Sequence, residues 1–395
     1  MEKGAMEFIS RMTTKTDASS IIEELAQKAD APFDVGFLFI SHLPASTTRE
    51  VVSLLTRQSR VRNLIGCTCY GIIGNQDEIE RQPAVSLIMA RLPQVKITPF
   101  FINQSIADQL RTPQDWYNFL EVYPSENPTF LTFPDPFLFD MNRFLAGINM
   151  AYPECSVVGG LASGASQPRE NQLIVNGEFY DDGLVGLILT GPICVETIVS
   201  QGCRPIGETF IVTQGQDNVI NSLAGRPLVD VLNEVLSTAP TRDKLLAQEA
   251  VFVGIAINEY KHVLKRGDFL IRALIGIDPQ TGAGAIADYI RPGQTVQFHV
   301  RDADAASEDL NELLKSQLAR RNQERPKGAL VFSCNGRGEN LFRVKNHDIG
   351  IIQNHIGPIP AAGFFCAGEI GPVGKNNFLH GFTNSIALFY TAKKM

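Results

Sequence analysis

Two short stretches of this chain carry residues that could do chemistry together: Ser333-Cys334-Asn335-Gly336-Arg337-Gly338, and Cys366-Ala367-Gly368-Glu369. Each sets a thiol near a charged side chain, among glycines, in a run that is otherwise apolar. A guanidinium presents a planar fork to a carboxylate, and a carboxylate receives an ammonium. Arg337 and Glu369 facing one another would therefore suit the two ends of a free amino acid, and the glycines would let backbone N–H groups approach it closely. The same pair could instead be an ion pair that ties two loops together with no ligand. Cys334 adds a nucleophile. A thiolate activated by Arg337 or His380, with N–H groups of the Asn-Gly-Arg-Gly turn as an oxyanion hole, would make a cysteine-dependent hydrolase or transferase. Against that, cysteine is among the residue types most often packed and inert, and His380 could line the pocket or merely cap a strand.

Such chemistry needs a scaffold that brings both stretches to one edge, and the chain supplies a unit written three times. DVGFLFIS from Asp34 reads as a buried strand. A helix follows with Val51, Leu54 and Leu55 on one stripe and Thr47 or Thr48 as its N-cap, then the strands LIGCTCYGIIG and VSLIMARL. The order recurs from Thr129: TFLTF, a helix carrying Met141, Phe144, Leu145 and Ile148, VVGGLASG, and GLVGLILTG. From Gly328 come ALVFSC, the turn, a weaker helix with Ile349, Ile352 and Ile356, PAAGFFCAG, and HGFTNSIALFY. The second strands share a spacing, Gly66 with Gly71, Gly159 with Gly164, Gly363 with Gly368. The fold class expected is α/β, with repeated β-α-β-β units forming mixed sheets covered by helices in two domains. Where two parallel strands flank a crossover, their C-terminal ends share the edge at which open α/β sheets take ligands. The turn after Cys334 and the turn after Cys366 should therefore meet.

Between the second and third copies the pattern changes to GETFIVT, a helix opened by Pro227, the strand runs VFVGIAI, FLIRALIGI and TVQFHV, and a helix acidic at its start and basic at its end. The boundary is expected near residue 200, giving an N-terminal extension with a short helix over 1–33, a first domain over 34–200 and a second over 201–395.

The 395 residues are too many for one core to be the default. A net charge of −7 without a basic stripe argues against nucleic acid. The start of the chain lacks a signal-peptide core, and no run reaches the roughly 18 apolar residues of a membrane span. Seven scattered cysteines suggest reduced thiols and a cytoplasmic location. No cofactor or metal is expected. Cys67 and Cys69 are taken to point to opposite strand faces, and His347 and His355 are too far apart in sequence for a helical metal pair. GAGAIA from Gly282 reads as a turn region, since Asp278-Pro279 and Arg291-Pro292 bracket it.

GCRPIG over 202–207, FSCNGRG over 332–338, and GFFCAGEIGPVG followed by NFLHGFT resemble the signatures of the FIST family, named from F-box and intracellular signal transduction proteins. GCTCYGIIG and VVGGLASG fit its FIST N part. The resemblance covers about residues 35–390. It implies a cytoplasmic sensory module that binds a small ligand, an amino acid or related metabolite, in a pocket of the C-terminal domain and signals to a protein partner in trans. About 33 residues precede the first strand, too few for an F-box. The candidate ligand-binding set is Cys334, Asn335, Gly336, Arg337, Cys366, Gly368, Glu369 and His380, joined by Arg204, which enters on its motif alone. A ligand-free protein-interaction scaffold remains a third alternative.

Overall fold

The computed structural model describes residues 5–25, 32–58, 61–261 and 263–392. The first copy runs through β1 (Glu7–Thr13), α1 (Ala18–Leu25), β2 (Val35–Ser41), α2 (Ala45–Gln58), β3 (Leu64–Cys69), the hairpin β4 (Gly71–Ile73) and β5 (Glu78–Glu80), and β6 (Ala84–Arg91). The second has β7 (Lys96–Ile102), α3 (Gln104–Ala107), α4 (Pro113–Leu120), β8 (Thr129–Pro134), α5 (Met141–Ala151), β9 (Val157–Gly160), the hairpin β10 (Leu173–Val175) and β11 (Glu178–Tyr180), and β12 (Leu184–Thr190). After β13 (Ile193–Gln201) comes the intervening region: β14 (Cys203–Gln216), β15 (Val219–Leu223), β16 (Arg226–Pro227), α6 (Leu228–Thr238), α7 (Thr241–Glu249), β17 (Val251–Ala256), β18 (Phe269–Ile277), β19 (Gly284–Ile286), β20 (Thr295–Arg301) and α8 (Ala303–Arg320). The third copy closes the chain with β21 (Gly328–Cys334), α9 (Gly338–Phe342), α10 (His347–Ile356), β22 (Ala361–Cys366), the hairpin β23 (Glu369–Val373) and β24 (Asn376–His380), and β25 (Thr383–Thr391). The fold is α/β, with mixed sheets and covering helices.

Two compact units result. One draws on the chain up to Val199, on Asn311–Leu379 and on the chain from Thr383 onward; the other comprises Ser200–Leu310 and His380–Phe382. All three copies of the β-α-β-β unit contribute to the first. Its sheets run β1-β6-β2-β3-β10-β11, β7-β12-β8-β9-β23-β24 and β13-β25-β21-β22-β4-β5. In each, the two strands that flank a crossover helix pair in parallel, β2 with β3, β8 with β9 and β21 with β22, and the closing strand, β6, β12 or β25, pairs antiparallel with the first of them. The hairpin that finishes each sheet comes from another copy: the first lends its hairpin to the third, the second to the first, and the third to the second.

These strands read as near-continuous apolar runs because both of their faces are covered. Inward residues meet in one core, where Phe39, Phe133 and Phe332, each the fifth residue of its strand, pack around Phe364 with centroids 4.9–5.9 Å from its ring. Outward residues lie under helices. Leu38 and Ile40 pack with α1 and α2, and Phe130, Leu184 and Ile188 with α4 and α5. Helix α10 buries Ile349, Ile352 and Ile356 as its spacing predicts. Helix α2 starts at Ala45, ahead of the threonines expected to cap it, and Thr48 is buried within it.

The repeated glycines have a common cause. Gly66, Gly159 and Gly363 stand opposite Leu38, Thr132 and Val331 across the parallel pair. A Cβ there would lie 1.8, 1.9 and 1.8 Å from the facing carbonyl oxygens. Cys67 and Cys69 do not point to opposite faces: both enter the shared core, because residues two apart on a strand lie on the same side.

In the second unit the sheet runs β14-β20-β17-β18-β19-β15-β16, with α6 packed on its apolar side through Leu228, Val231, Leu232 and Val235. GAGAIA contributes the short strand β19, with the turn placed just before it at Asp278–Gly282.

Gly363→Ala should cost at least about 3 kcal/mol, since the added carbon meets backbone that a rotamer change cannot move. Gly350→Ala on α10, with nothing within 4 Å of the added carbon, should change stability by at most about 1 kcal/mol, in the stabilising direction. Urea unfolding of the two variants beside the parent checks both.

Candidate functional site

Strands β21 and β22 run parallel with Cys334 in register with Cys366, so the two turns leave the sheet side by side. The Asn335 N–H donates to the Cys366 carbonyl at 2.9 Å and the Arg337 N–H to the Cys334 carbonyl at 2.8 Å. That tight turn sends the Arg337 side chain inward, where it is 1% exposed. Gly338 follows with φ of +57°, and a Cβ on it would lie 2.3 Å from Glu80 Oε1. Glu80, on the hairpin lent by the first copy, accepts the Glu339 N–H at 2.8 Å.

The carboxylate that grips the fork is Asp348, not Glu369. Arg337 Nε and Nη2 donate to Asp348 Oδ2 and Oδ1 at 2.7 and 2.9 Å. Asp348 also accepts from Ser333 Oγ at 2.9 Å and Asn384 Nδ2 at 3.0 Å, with His347 Nδ1 3.0 Å away. Burial works to raise its pKa, but the Arg337 charge and the His347 hydrogen bond outweigh it and hold the carboxyl well below the usual range. Phe342 lies against this pair, stacked on His347 and 5.1 Å from the Arg337 guanidinium carbon.

Glu369 opens the hairpin β23–β24 opposite Gly160. At the matching register position the other copies carry Ile72 and Leu173, both fully buried. Glu369 is equally buried, and its Oε2 accepts the Thr383 N–H at 2.9 Å and the Thr383 hydroxyl at 2.8 Å. Burial pushes its pKa up to about 8, against the Thr383 hydrogen bonds, the Arg337 charge and the Cys334 thiol. Glu78, on the lent hairpin, is likewise raised to about 8 by burial and by the Asp348 charge. Among the buried polar atoms of this corner without a hydrogen-bond partner among the described residues are Arg337 Nη1 and Glu369 Oε1, together with Glu78 Oε2, Glu80 Oε2 and Asn384 Oδ1.

The expectation that the two turns meet is therefore met, with Cys334, Asn335, Gly336, Arg337, Cys366, Gly368 and Glu369 all in the first compact unit. Arg204 and His380 fall in the second. Arg204 donates to Asp302 at 2.6 Å and to both oxygens of Asp243 at 2.5 and 3.3 Å, so its three nitrogens are already bound. Asp348, Glu78, Glu80 and Thr383 were missed by sequence reasoning. Asp348, in the first turn of a helix eleven positions after Arg337, was within reach of it. An open cavity of 520 Å³ lies elsewhere in the first unit, lined among others by Arg49, Asn171, Gln172 and Tyr180.

The FIST N domain model matches residues 34–226 and the FIST C domain model residues 229–372. The chain belongs to the FIST family. An uncharacterized protein of Mycobacterium tuberculosis is 42% identical over 348 residues, 87% of this FIST chain and 88% of its own length. Another, from Mycobacterium bovis, is 35% identical over 380 residues, 96% of each. A solved cyanuric acid hydrolase from A. caulinodans aligns over 98% of this chain and all of its own at 8% identity, but its TM-score of 0.36 carries no argument. FIST domains are known as candidate small-ligand sensory domains of signal transduction. Among the described residues no helix is long and apolar enough to cross a membrane.

Asp348→Asn should cost about 3–5 kcal/mol by leaving the Arg337 charge buried and uncompensated. Glu369→Gln tests the raised carboxyl. Unfolded, Glu369 releases its proton near 4.5; folded, it holds it to about 8. Between those values the native state binds the extra proton, so the stability from the protonated form is complete at low pH and is lost as pH rises towards 8. Across about pH 5–7.5 the parent should lose on the order of 1.4 kcal/mol per pH unit relative to Glu369→Gln, read by denaturant unfolding at each pH.

Proposed function

We propose that this protein is a cytoplasmic sensory module whose ligand is a small zwitterion, an amino acid or related metabolite, held in the corner between Arg337 and Glu369, and that it signals to a separate protein partner. The supporting observation is the pair of buried, unpartnered atoms of complementary character, Arg337 Nη1 and Glu369 Oε1. Buried polar groups are normally satisfied, so two such atoms in one corner call for a group that supplies both an acceptor and a donor. A ligand carboxylate would accept from Nη1 while its ammonium donates to Oε1. An ammonium at that oxygen also favours the ionised carboxyl, offsetting the burial that keeps Glu369 protonated.

Asp348 has a positioning role in this reading. By holding Nε and Nη2 it fixes the plane of the guanidinium and leaves Nη1 for the ligand. Cys334, Cys366 and Gly368 would wall the corner, and the half-buried Asn335 and Gly336 form its outer side. With Arg337 1% and Glu369 0% exposed, entry requires the 335–338 turn to move, so association should be slow compared with an open cleft. Arg204, whose three nitrogens are each held by a carboxylate, and His380 are left out of the site.

A ligand at 100 times its Kd stabilises the native state by about 2.7 kcal/mol. A thermal-shift screen of free amino acids and related amines and acids, run under reducing conditions, should find a compound that raises the midpoint by several degrees. Glu369→Gln, which keeps a hydrogen-bonding side chain of the same shape, should lose at least tenfold in affinity for it (about 1.4 kcal/mol). A panel in which nothing moves the midpoint, or a hit bound equally by Glu369→Gln, would overturn the reading.

A further inference from the structure

We propose that Cys334 and Cys366 form a hydroperoxide-reducing thiol pair, in which Cys334 takes the peroxide oxygen and Cys366 closes a disulfide. This use of the corner is separate from ligand binding and does not depend on it.

Four features lead there. First, the two cysteines are register partners on adjacent parallel strands. Neighbouring strands lie about 4.8 Å apart, within the roughly 4.4–6.8 Å between Cα atoms that a disulfide spans. Second, Cys334 has two neighbours that a thiolate, once formed, would draw on. Its sulfur accepts the Gly336 N–H at 3.5 Å, and it lies close enough to Arg337 for the two to act on each other electrostatically. Third, the thiol has a proton donor for the leaving alkoxide beside it, the Glu369 carboxyl, which burial keeps protonated and on which the Cys334 side chain acts. Fourth, Cys334 keeps 6% exposure under a half-buried turn while Cys366 has none, the arrangement of an attacking thiol backed by a resolving one. In the other two copies the position that corresponds to Cys334 is held by Ser41, the last residue of β2, or by Asp135, just past β8, so the thiol pair belongs to the third copy alone.

The chemistry balances with a hydroperoxide as the oxidant. Cys334 loses its proton to solvent, and the thiolate sulfur attacks the terminal oxygen of the hydroperoxide. The O–O bond breaks, the sulfur becomes a sulfenic acid, and the alkoxide leaves as an alcohol after taking a proton from Glu369. The Cys366 thiol then passes its proton to the Glu369 carboxylate as its sulfur attacks that of Cys334. The sulfenic hydroxyl departs as water with a proton from solvent, the S–S bond forms, and Glu369 is left protonated as it began. One hydroperoxide is reduced by two electrons as two thiols become one disulfide.

Stoichiometric hydrogen peroxide, and in parallel cumene hydroperoxide, added to the reduced full chain should produce a species lighter by two hydrogens. Its digest should contain a Cys334–Cys366 crosslinked peptide. Cys366→Ser should instead accumulate sulfenic acid at Cys334, trapped as a dimedone adduct, and Cys334→Ser should give neither product. Cys155, half-buried and remote in sequence, is the internal reference: Cys334 should react at least about tenfold faster, because thiolate character governs the rate. Oxidation of Cys334 no faster than Cys155, or a disulfide that excludes either member of the pair, overturns the proposal. Circular dichroism of both serine variants, matched to the parent, assures that a lost product is lost chemistry rather than lost fold.

Discussion

Each sheet of the first compact unit is finished by a hairpin taken from another copy of the same motif, and the rest of that unit follows from this exchange. The first copy seats β4 and β5 on the third, the second seats β10 and β11 on the first, and the third seats β23 and β24 on the second. Remove any one copy and another is left with an open strand edge, a liability that folded proteins avoid. The exchange also brings Phe39, Phe133 and Phe332 into one core, which no copy could bury by itself. The glycines at 66, 159 and 363 serve the same end, letting parallel strands approach where a side chain would strike a carbonyl.

Within this ring the third copy departs from the pattern the other two keep. Where they bury Ile72 and Leu173, it buries Glu369. Its first strand ends in a thiol and a tight turn that sends an arginine inward. Burying a carboxyl in place of an aliphatic side chain, with a guanidinium buried beside it, opposes stability, and such local conflicts concentrate where a protein does something besides fold. The corner contains much of this cost: Asp348 neutralises Arg337, Thr383 satisfies one oxygen of Glu369, and Glu80 from the first copy anchors the turn. What stays unsatisfied includes Arg337 Nη1 and Glu369 Oε1, and there recognition can act. The thiol beside them draws on the same guanidinium and the same carboxyl, so ligand chemistry and thiol chemistry share one set of charges.

Arg204 shows the contrast in the second unit. It sits in a motif of the family, yet every nitrogen of its guanidinium is held by Asp243 or Asp302, and Arg242 adds two further bonds to Asp302 and Asp304. An arginine with every nitrogen held by a carboxylate fastens α7 against the start of β14, a structural duty that a motif cannot distinguish from binding.

Residue order alone determined whatever depends on near neighbours. Apolar runs and helical stripes marked the three main strands and the crossover helix of each copy but not the hairpins, the glycine spacing marked the copies' equivalence, and the β-α-β order placed the turns after Cys334 and Cys366 at one sheet edge. The family signatures were legible for the same reason, being short and contiguous. Tertiary structure decided the partners. That Asp348 rather than Glu369 holds Arg337 depends on the angle at which α10 returns over β21, and that Glu78 and Glu80 reach this corner depends on a hairpin some 260 residues earlier in the chain being lent to it. Local periodicity reports which face of an element is apolar. It carries no information about which distant element covers that face, because sheet pairing is chosen by the packing of the whole unit.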